Sequence, residues 1–123
     1  MEKLQGNYDL EERTAKFGEQ IILFCKVLRR DVVVNPLINQ LVRSATSIGA
    51  NYMEANGASS RKDFINKIFI CKKESQETKH WLRMIACYAP ELKDRIRILW
   101  KEANELAMIF GKIAYTSRLV GSN

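Results

Sequence analysis

Apolar residues recur along this chain at alternating spacings of four and three, the mark of a helix with one buried face. Leu10, Thr14, Phe17, Ile21, Phe24 and Leu28 trace the first such seam. Asp9, with Glu12 three residues later, reads as its cap and predicts a helix over about 9–31. "VVVNP" ends it, with Asn35 as the expected N-cap and Pro36 as the first residue of a second helix over 36–56. Gly57 follows as a C-terminal stop. Ser60 and Asp63 approximate a capping box for a third helix over 60–88, whose seam is Phe64, Ile68, Cys71, Ser75, Thr78, Leu82, Ile85 and Ala89. Pro90 then opens a fourth over 90–118, with Leu92, Ile96, Leu99, Ala103, Leu106, Phe110, Ile113 and Ser117 in strict 4-3 alternation. No β-type alternation competes. Short connections force neighbouring helices to run antiparallel, so the expected fold is all-α, an up-down-up-down four-helix bundle filling one domain over 1–123.

Two features depart from a plain bundle. The second helix carries Gly49 in its middle among Ser, Ala and Thr, although an interior glycine costs about 1 kcal/mol against alanine. Leu41, Ala45, Ile48 and Tyr52 place these small residues beside a core stripe, where they let two backbones approach closely. The third helix has more apolar surface than one seam uses. Ile70, Trp81, Met84 and Tyr88 fall together, more than about 90° from Phe64 at 100° per residue. Such a stripe would be an exposed patch on a monomer, so it is expected to meet a second copy in a homo-oligomer. The bland alternative is an asymmetric bundle that buries a wider face.

Composition adds a sign. With 46% hydrophobic and 28% charged residues the chain is ordinary globular protein, and its net charge is +6. Residues 1–31 hold six basic and six acidic side chains, and residues 32–58 only Arg43 and Glu54, so the surplus lies in the second half. On the third helix Arg61, Lys72, Lys79 and Arg83 fall within about 40° of one another. On the fourth, Lys93, Arg97 and Lys101 follow at successive fours. Rows like these suit a phosphate backbone, which is held by counterion release with little reading of sequence. The competing reading is the usual solvated lysine-rich face. Asn51, Glu54 and Asn56 face water, or form a polar cluster with Lys73 or Arg43.

Catalytic chemistry finds little support. Cys25, Cys71 and Cys87 are widely spaced without a CxxC, which argues against disulfides and zinc and for packing residues. Glu77-x-x-His80 resembles half of a di-iron motif, but such bundles need two pairs and further glutamates, and this chain has one histidine. No phosphate-binding glycine loop occurs. A non-enzyme without metal or cofactor is expected. The run "IILFC" is too short to cross a bilayer and the acidic start is unlike a signal peptide, so no membrane association and a cytoplasmic location are expected.

The segment Leu41 to Ile85 also carries a family pattern. Arg43, Ser44, Ser47, Ile48, Ala50, Asn51, Tyr52, Glu54 and Ala55, then Lys62, Asp63 and Phe64, then Lys73, Glu74, Glu77, Thr78, Trp81 and Leu82 stand at matching positions. In these it resembles the bacterial four-helix-bundle proteins of the 23S rRNA intervening-sequence (ribosomal protein S23) family. The resemblance implies a small bacterial cytoplasmic protein, sometimes encoded within an insertion in ribosomal RNA genes. It further implies kinship with accessory variability proteins of diversity-generating retroelements, which form basic ring-shaped pentamers that bind nucleic acid and a reverse transcriptase. The expectation is therefore a homo-oligomer, pentameric by resemblance, that binds RNA or DNA electrostatically. The alternative is an adaptor whose aromatic stripe docks a protein partner.

Overall fold

A computed structural model describes the backbone of residues 2–121 and the side chains of residues 10–119. Four helices account for nearly all of it: α1 (Glu2–Cys25), α2 (Val34–Asn56), α3 (Arg61–Tyr88) and α4 (Lys93–Gly121), the last entered through a 3₁₀ turn at Pro90–Leu92. No strand occurs among the described residues. α3 is the central element, packed along α2 on one side and α4 on the other, while α1 lies mainly on α2 and touches α4 sparingly. Neighbours pair in reversed order. Ser44 meets Thr78, Ile48 meets Cys71 and Glu54 meets Lys67 across α2 and α3. Phe69 meets Arg118, Lys72 meets Gly111 and Lys79 meets Asn104 across α3 and α4.

The seams read from periodicity form the core. Phe17, Ile21 and Phe24 of α1, Leu41, Ala45, Ile48 and Tyr52 of α2, Ile68, Cys71, Leu82 and Ile85 of α3, and Ala103, Leu106 and Phe110 of α4 are all buried. Each large aliphatic or aromatic side chain removed from water this way stabilises the fold by about 1.5–3 kcal/mol. Phe64, Leu92 and Ile113, at seam ends, are only half-buried and pack against this cluster. Cys25 and Cys71 are buried, but Cys87 is exposed and is not a packing residue.

Gly49 stands at a close approach of α1 and α2. A Cβ there would meet Thr14 Oγ1 at 3.2 Å and the Thr14 carbonyl carbon at 3.5 Å. The missing side chain is what allows Thr14, itself buried, to sit against α2.

Three helix ends differ from the sequence expectation. α1 begins at Glu2, so Asp9 lies within it and does not cap it. α1 stops at Cys25, short of residue 31, with tightened bonds from Val27 N to Phe24 O and from Leu28 N to Cys25 O. The reason is Asp31. Its Oδ1 accepts from the backbone N–H of Val33 at 2.9 Å and of Val34 at 2.8 Å, and its carbonyl accepts from Asn35. Asp31 therefore satisfies the orphan donors of α2, in place of Asn35, and α2 begins before Pro36. Tyr88, at the far end of α3, donates its hydroxyl to Asp31 Oδ2 at 2.6 Å and lies 3.2 Å from the Arg29 carbonyl, tying the connection down. Ser60 caps α3 as its sequence suggests, its Oγ accepting from Asp63 N at 3.0 Å. Gly57 closes α2 without a left-handed turn, at φ −97°.

Candidate nucleic-acid interface

Charge on this bundle is sorted by two arginines. Arg43 of α2 reaches across to α3, where its guanidinium binds Glu74 at 3.1 Å and also Glu77. Arg13 of α1 reaches α4, binding Glu102 at 2.7 Å and Glu105 at 2.8 Å, and this pair of carboxylates pushes its pKa still higher. Four carboxylates of α3 and α4, placed by helix phase on the α2 and α1 sides, are thereby neutralised. The opposite flanks of α3 and α4, which face each other, keep their cations.

Along that face Lys72 lays its alkyl stem on Gly111, with Cε 3.6 Å from where a Cβ would be. One turn or two onward, Lys79 donates to Asn104 Oδ1 at 2.9 Å and holds its ammonium 5.1 Å from the centre of the Trp100 ring. Arg83 is exposed one turn beyond Lys79. Arg61 lies at the other end, in a groove with Lys62, Ile65, Asn66, Tyr115, Arg118 and Leu119. Lys93 and Arg97 occupy the α4 side, both exposed. Arg61, Lys72, Lys79, Arg83 and Lys93 make no ion pair with a described residue, and Arg97 only a loose one with Asp94 at 3.6 Å. From Arg61 to Arg83 the row extends about 33 Å at 1.5 Å per residue.

Helix phase puts Arg83 on the line of Lys72 and Lys79, and Lys93 and Arg97 on the lines of Gly111 and Tyr115, so six of the seven cations read from the sequence share one side of α3 and α4. Lys101 does not: it turns into the groove between α1 and α4, beside Glu12, Arg13 and Glu102. A single helical wheel fixes a residue's angle on its own helix but not which neighbour lies beyond it. The sequence reading also missed Lys62, Trp100, Tyr115 and Arg118. Tyr115 had an available signal, since it falls on the same line as Arg97 after about five full turns of 3.6 residues.

The aromatic stripe of α3 has a different setting from the one expected. Ile70, Trp81, Met84 and Tyr88 are all half-buried, not an exposed patch. Trp81 and Tyr88 pack against the core, and their polar atoms are used within the chain: Trp81 Nε1 donates to Glu77 Oε1 at 3.4 Å and Tyr88 to Asp31. The connection before α2 covers Tyr88 through Arg29 and Asp31, and Trp81 lies against Glu77, which Arg43 of α2 holds. Exposed apolar side chains lie elsewhere, among them Ile98, Met108 and Tyr115 on α4.

The residues of the family pattern form the seam between α2 and α3. Thr78 Oγ1 lies 2.9 Å from Ser44 Oγ and 2.8 Å from the Glu74 carbonyl, inside the core. Asn51 Nδ2 donates to Ser47, Lys67 pairs with Glu54 at 2.8 Å, and Asn56 Nδ2 donates to Glu11 Oε2 at 3.1 Å. Arg43 joins Glu74 and Glu77, and Lys73 takes no part. These side chains are mutually satisfied and hold helices together. Glu77 is spent on Arg43, and His80 is exposed against the edge of Trp81. Among the described residues no group of three His, Cys, Asp or Glu side chains comes together to hold a metal ion. Cys25 and Cys71 are pushed up by burial to about 11 and about 12, unlike nucleophilic thiols. No described helix is long and apolar enough to cross a membrane.

Comparison with known proteins agrees with this architecture. Residues 7–112 match the family model described as 23S rRNA-intervening sequence protein. The chain is also similar to the crystal structure of a protein of unknown function from the S23 ribosomal protein family of Bacteroides thetaiotaomicron. That similarity has 29% identity and a TM-score of 0.76, and covers 89% of this chain and 97% of the other. No curated protein matches the chain significantly.

Proposed function

The chain belongs to the 23S rRNA-intervening sequence protein family, and on that premise we propose that it is a non-enzymatic nucleic-acid-binding protein. In this reading the α3–α4 face of an antiparallel, up-down-up-down bundle binds the phosphate backbone of RNA or DNA. One observation supports it: Arg61, Lys72, Lys79, Arg83, Lys93 and Arg97 share one side of α3 and α4, while Glu74, Glu77, Glu102 and Glu105 stand on other flanks, paired with Arg43 and Arg13.

The same reading includes assembly into a homo-oligomer, a pentamer in the relatives that the sequence resembles. Ile70, Trp81, Met84 and Tyr88 retain partial exposure and would form the contact. Copies arranged about an axis repeat the cationic face, and linked weak contacts multiply into avidity. Light scattering with and without added RNA tests both parts. An assembled protein that gains mass with RNA at low salt and loses it at high salt supports the reading. A monomer that ignores RNA at low salt removes it. Should a protein partner survive nuclease treatment in a pull-down while RNA fails to bind, the docking-adaptor reading replaces it.

A further inference from the structure

We propose that the groove where the start of α3 meets the end of α4 seats an unpaired base of a single-stranded nucleic acid against the ring of Tyr115, with flanking phosphates on Arg61 and Lys62. The inference rests on the nucleic-acid reading above and narrows it to unpaired strands. Electrostatics explains the cations of the face but not an aromatic ring left open in their midst. Tyr115 is 64% exposed, and it makes no hydrogen bond or ring contact with any described residue.

The other aromatic rings of this face are already occupied. Trp100 is 36% exposed and carries the Lys79 ammonium at 5.1 Å, and Phe69 has the Arg118 guanidinium 5.6 Å from its centre. Tyr115 instead lines an open groove of about 810 Å³ with Ile65 and Leu119 as apolar walls, Asn66 as an amide, and Arg61 and Lys62 as cations. Each wall matches one part of a nucleotide. A base has two apolar faces, which an aromatic ring and an aliphatic side chain can cover. Its edge mixes donors and acceptors, and the Asn66 amide offers both, so any base is accommodated. Its phosphates are anionic, as the two cations at the rim require.

A duplex offers none of this beyond phosphate. Its base faces are stacked on each other, so Tyr115 would stay in water whether or not a duplex lay on the face. An unpaired strand presents its base faces, and stacking on aromatic side chains is how sequence-tolerant single-strand binders gain affinity. Lys72, Lys79 and Arg83 follow Arg61 along the same line of α3, which gives the rest of the strand a track of positive charge.

The test uses fluorescence anisotropy with labelled twelve-nucleotide strands, RNA and DNA in parallel, at constant low salt. Three probes are compared: a single strand with bases, the same strand with abasic sites, and a duplex of equal length. Wild-type protein should bind the base-bearing strand about tenfold more tightly than the abasic one, a difference that needs no variant. Tyr115→Ala should weaken the base-bearing strand about tenfold and leave the abasic strand, the duplex and the salt slope unchanged. Tyr115→Phe should stay within about twofold of wild type, because the ring is kept. Arg61→Gln with Lys62→Gln should weaken all three probes and flatten the salt slope.

Equal wild-type affinity for base-bearing and abasic strands overturns the inference, as does a Tyr115→Ala loss that is the same for every probe. In either case steep salt dependence would leave the electrostatic face standing. Absence of binding by wild type at low salt removes both. Unchanged helical circular dichroism of Tyr115→Ala, expected from its exposure, completes the set.

Discussion

Filling the gap at Gly49 probes how closely α1 and α2 are pressed together. Alanine there should gain about 1 kcal/mol from helix propensity and a less flexible unfolded chain. Against it stands the 3.2 Å approach of the new Cβ to Thr14 Oγ1. Thr14 cannot yield freely: it is 2% exposed, and its hydroxyl donates to the Glu11 carbonyl at 3.0 Å. Rotating it away gives up that bond, at about 1 kcal/mol. The two effects nearly cancel, so Gly49→Ala alone should change stability by less than about 0.5 kcal/mol. In a Thr14→Ala background the oxygen is gone while the remaining contacts, at 3.5 Å, are ordinary. There the same substitution should stabilise by about 1 kcal/mol. Urea unfolding of the four proteins, at one protein concentration and with equal slopes, gives the coupling directly. Gly49→Leu, whose longer side chain must push into the contact with α1 at residue 14, should cost more than about 2 kcal/mol in either background. A gain of about 1 kcal/mol from Gly49→Ala in wild type, with no coupling to residue 14, would refute the close approach.

Arg43→Ala strips the partner from Glu74, which is only 7% exposed, and should destabilise the bundle by about 2 kcal/mol in the same urea assay, less than a fully buried pair because Arg43 is itself half exposed. The Asp31 carboxyl is held below its ordinary value by the Tyr88 hydroxyl first and the Val34 amide next. Its contribution to stability is therefore complete above about pH 4 and lost as pH falls through the lowered value. Acid unfolding should show wild type and Asp31→Asn converging at low pH and separating above it, and parallel curves would contradict this. A maleimide reagent at neutral pH should label Cys87 alone in native buffer and all three cysteines in denaturant, since burial shields Cys25 and Cys71.

Much of the bundle could be read from spacing, because 4-3 periodicity is imposed by burial along a whole helix. Twenty-odd residues of agreement between period and burial are hard to produce otherwise, and the seams of α1 and α2 were recovered residue by residue. Helix ends were harder. The early stop of α1 depends on Asp31 capping α2 and on Tyr88, which is distant in sequence and leaves no local trace. Tyr88 and Trp81 look free for the same reason, since a wheel centred on Phe64 cannot show Arg29, Asp31 and Arg43 reaching that flank, and Phe64 is itself at the margin of the core. The cationic face was mostly legible, as clusters on each helix. The ion pairs of Arg13 and Arg43 were not, because they join carboxylates of other helices. Lys101 was misplaced by the same blindness to neighbours.

The most direct test of the cationic face is the affinity for a single strand measured by anisotropy from 50 to 200 mM salt. Six cations on phosphates predict a logarithmic slope of about −4 per chain, or a loss of roughly 300-fold over that range. Neutralising Lys72, Arg83 and Arg97 together should bring the slope to about −2, while Lys101→Gln, on the α1 side, should leave it unchanged. A slope near zero, or one that falls as much with Lys101→Gln as with each residue of the row, would contradict the account.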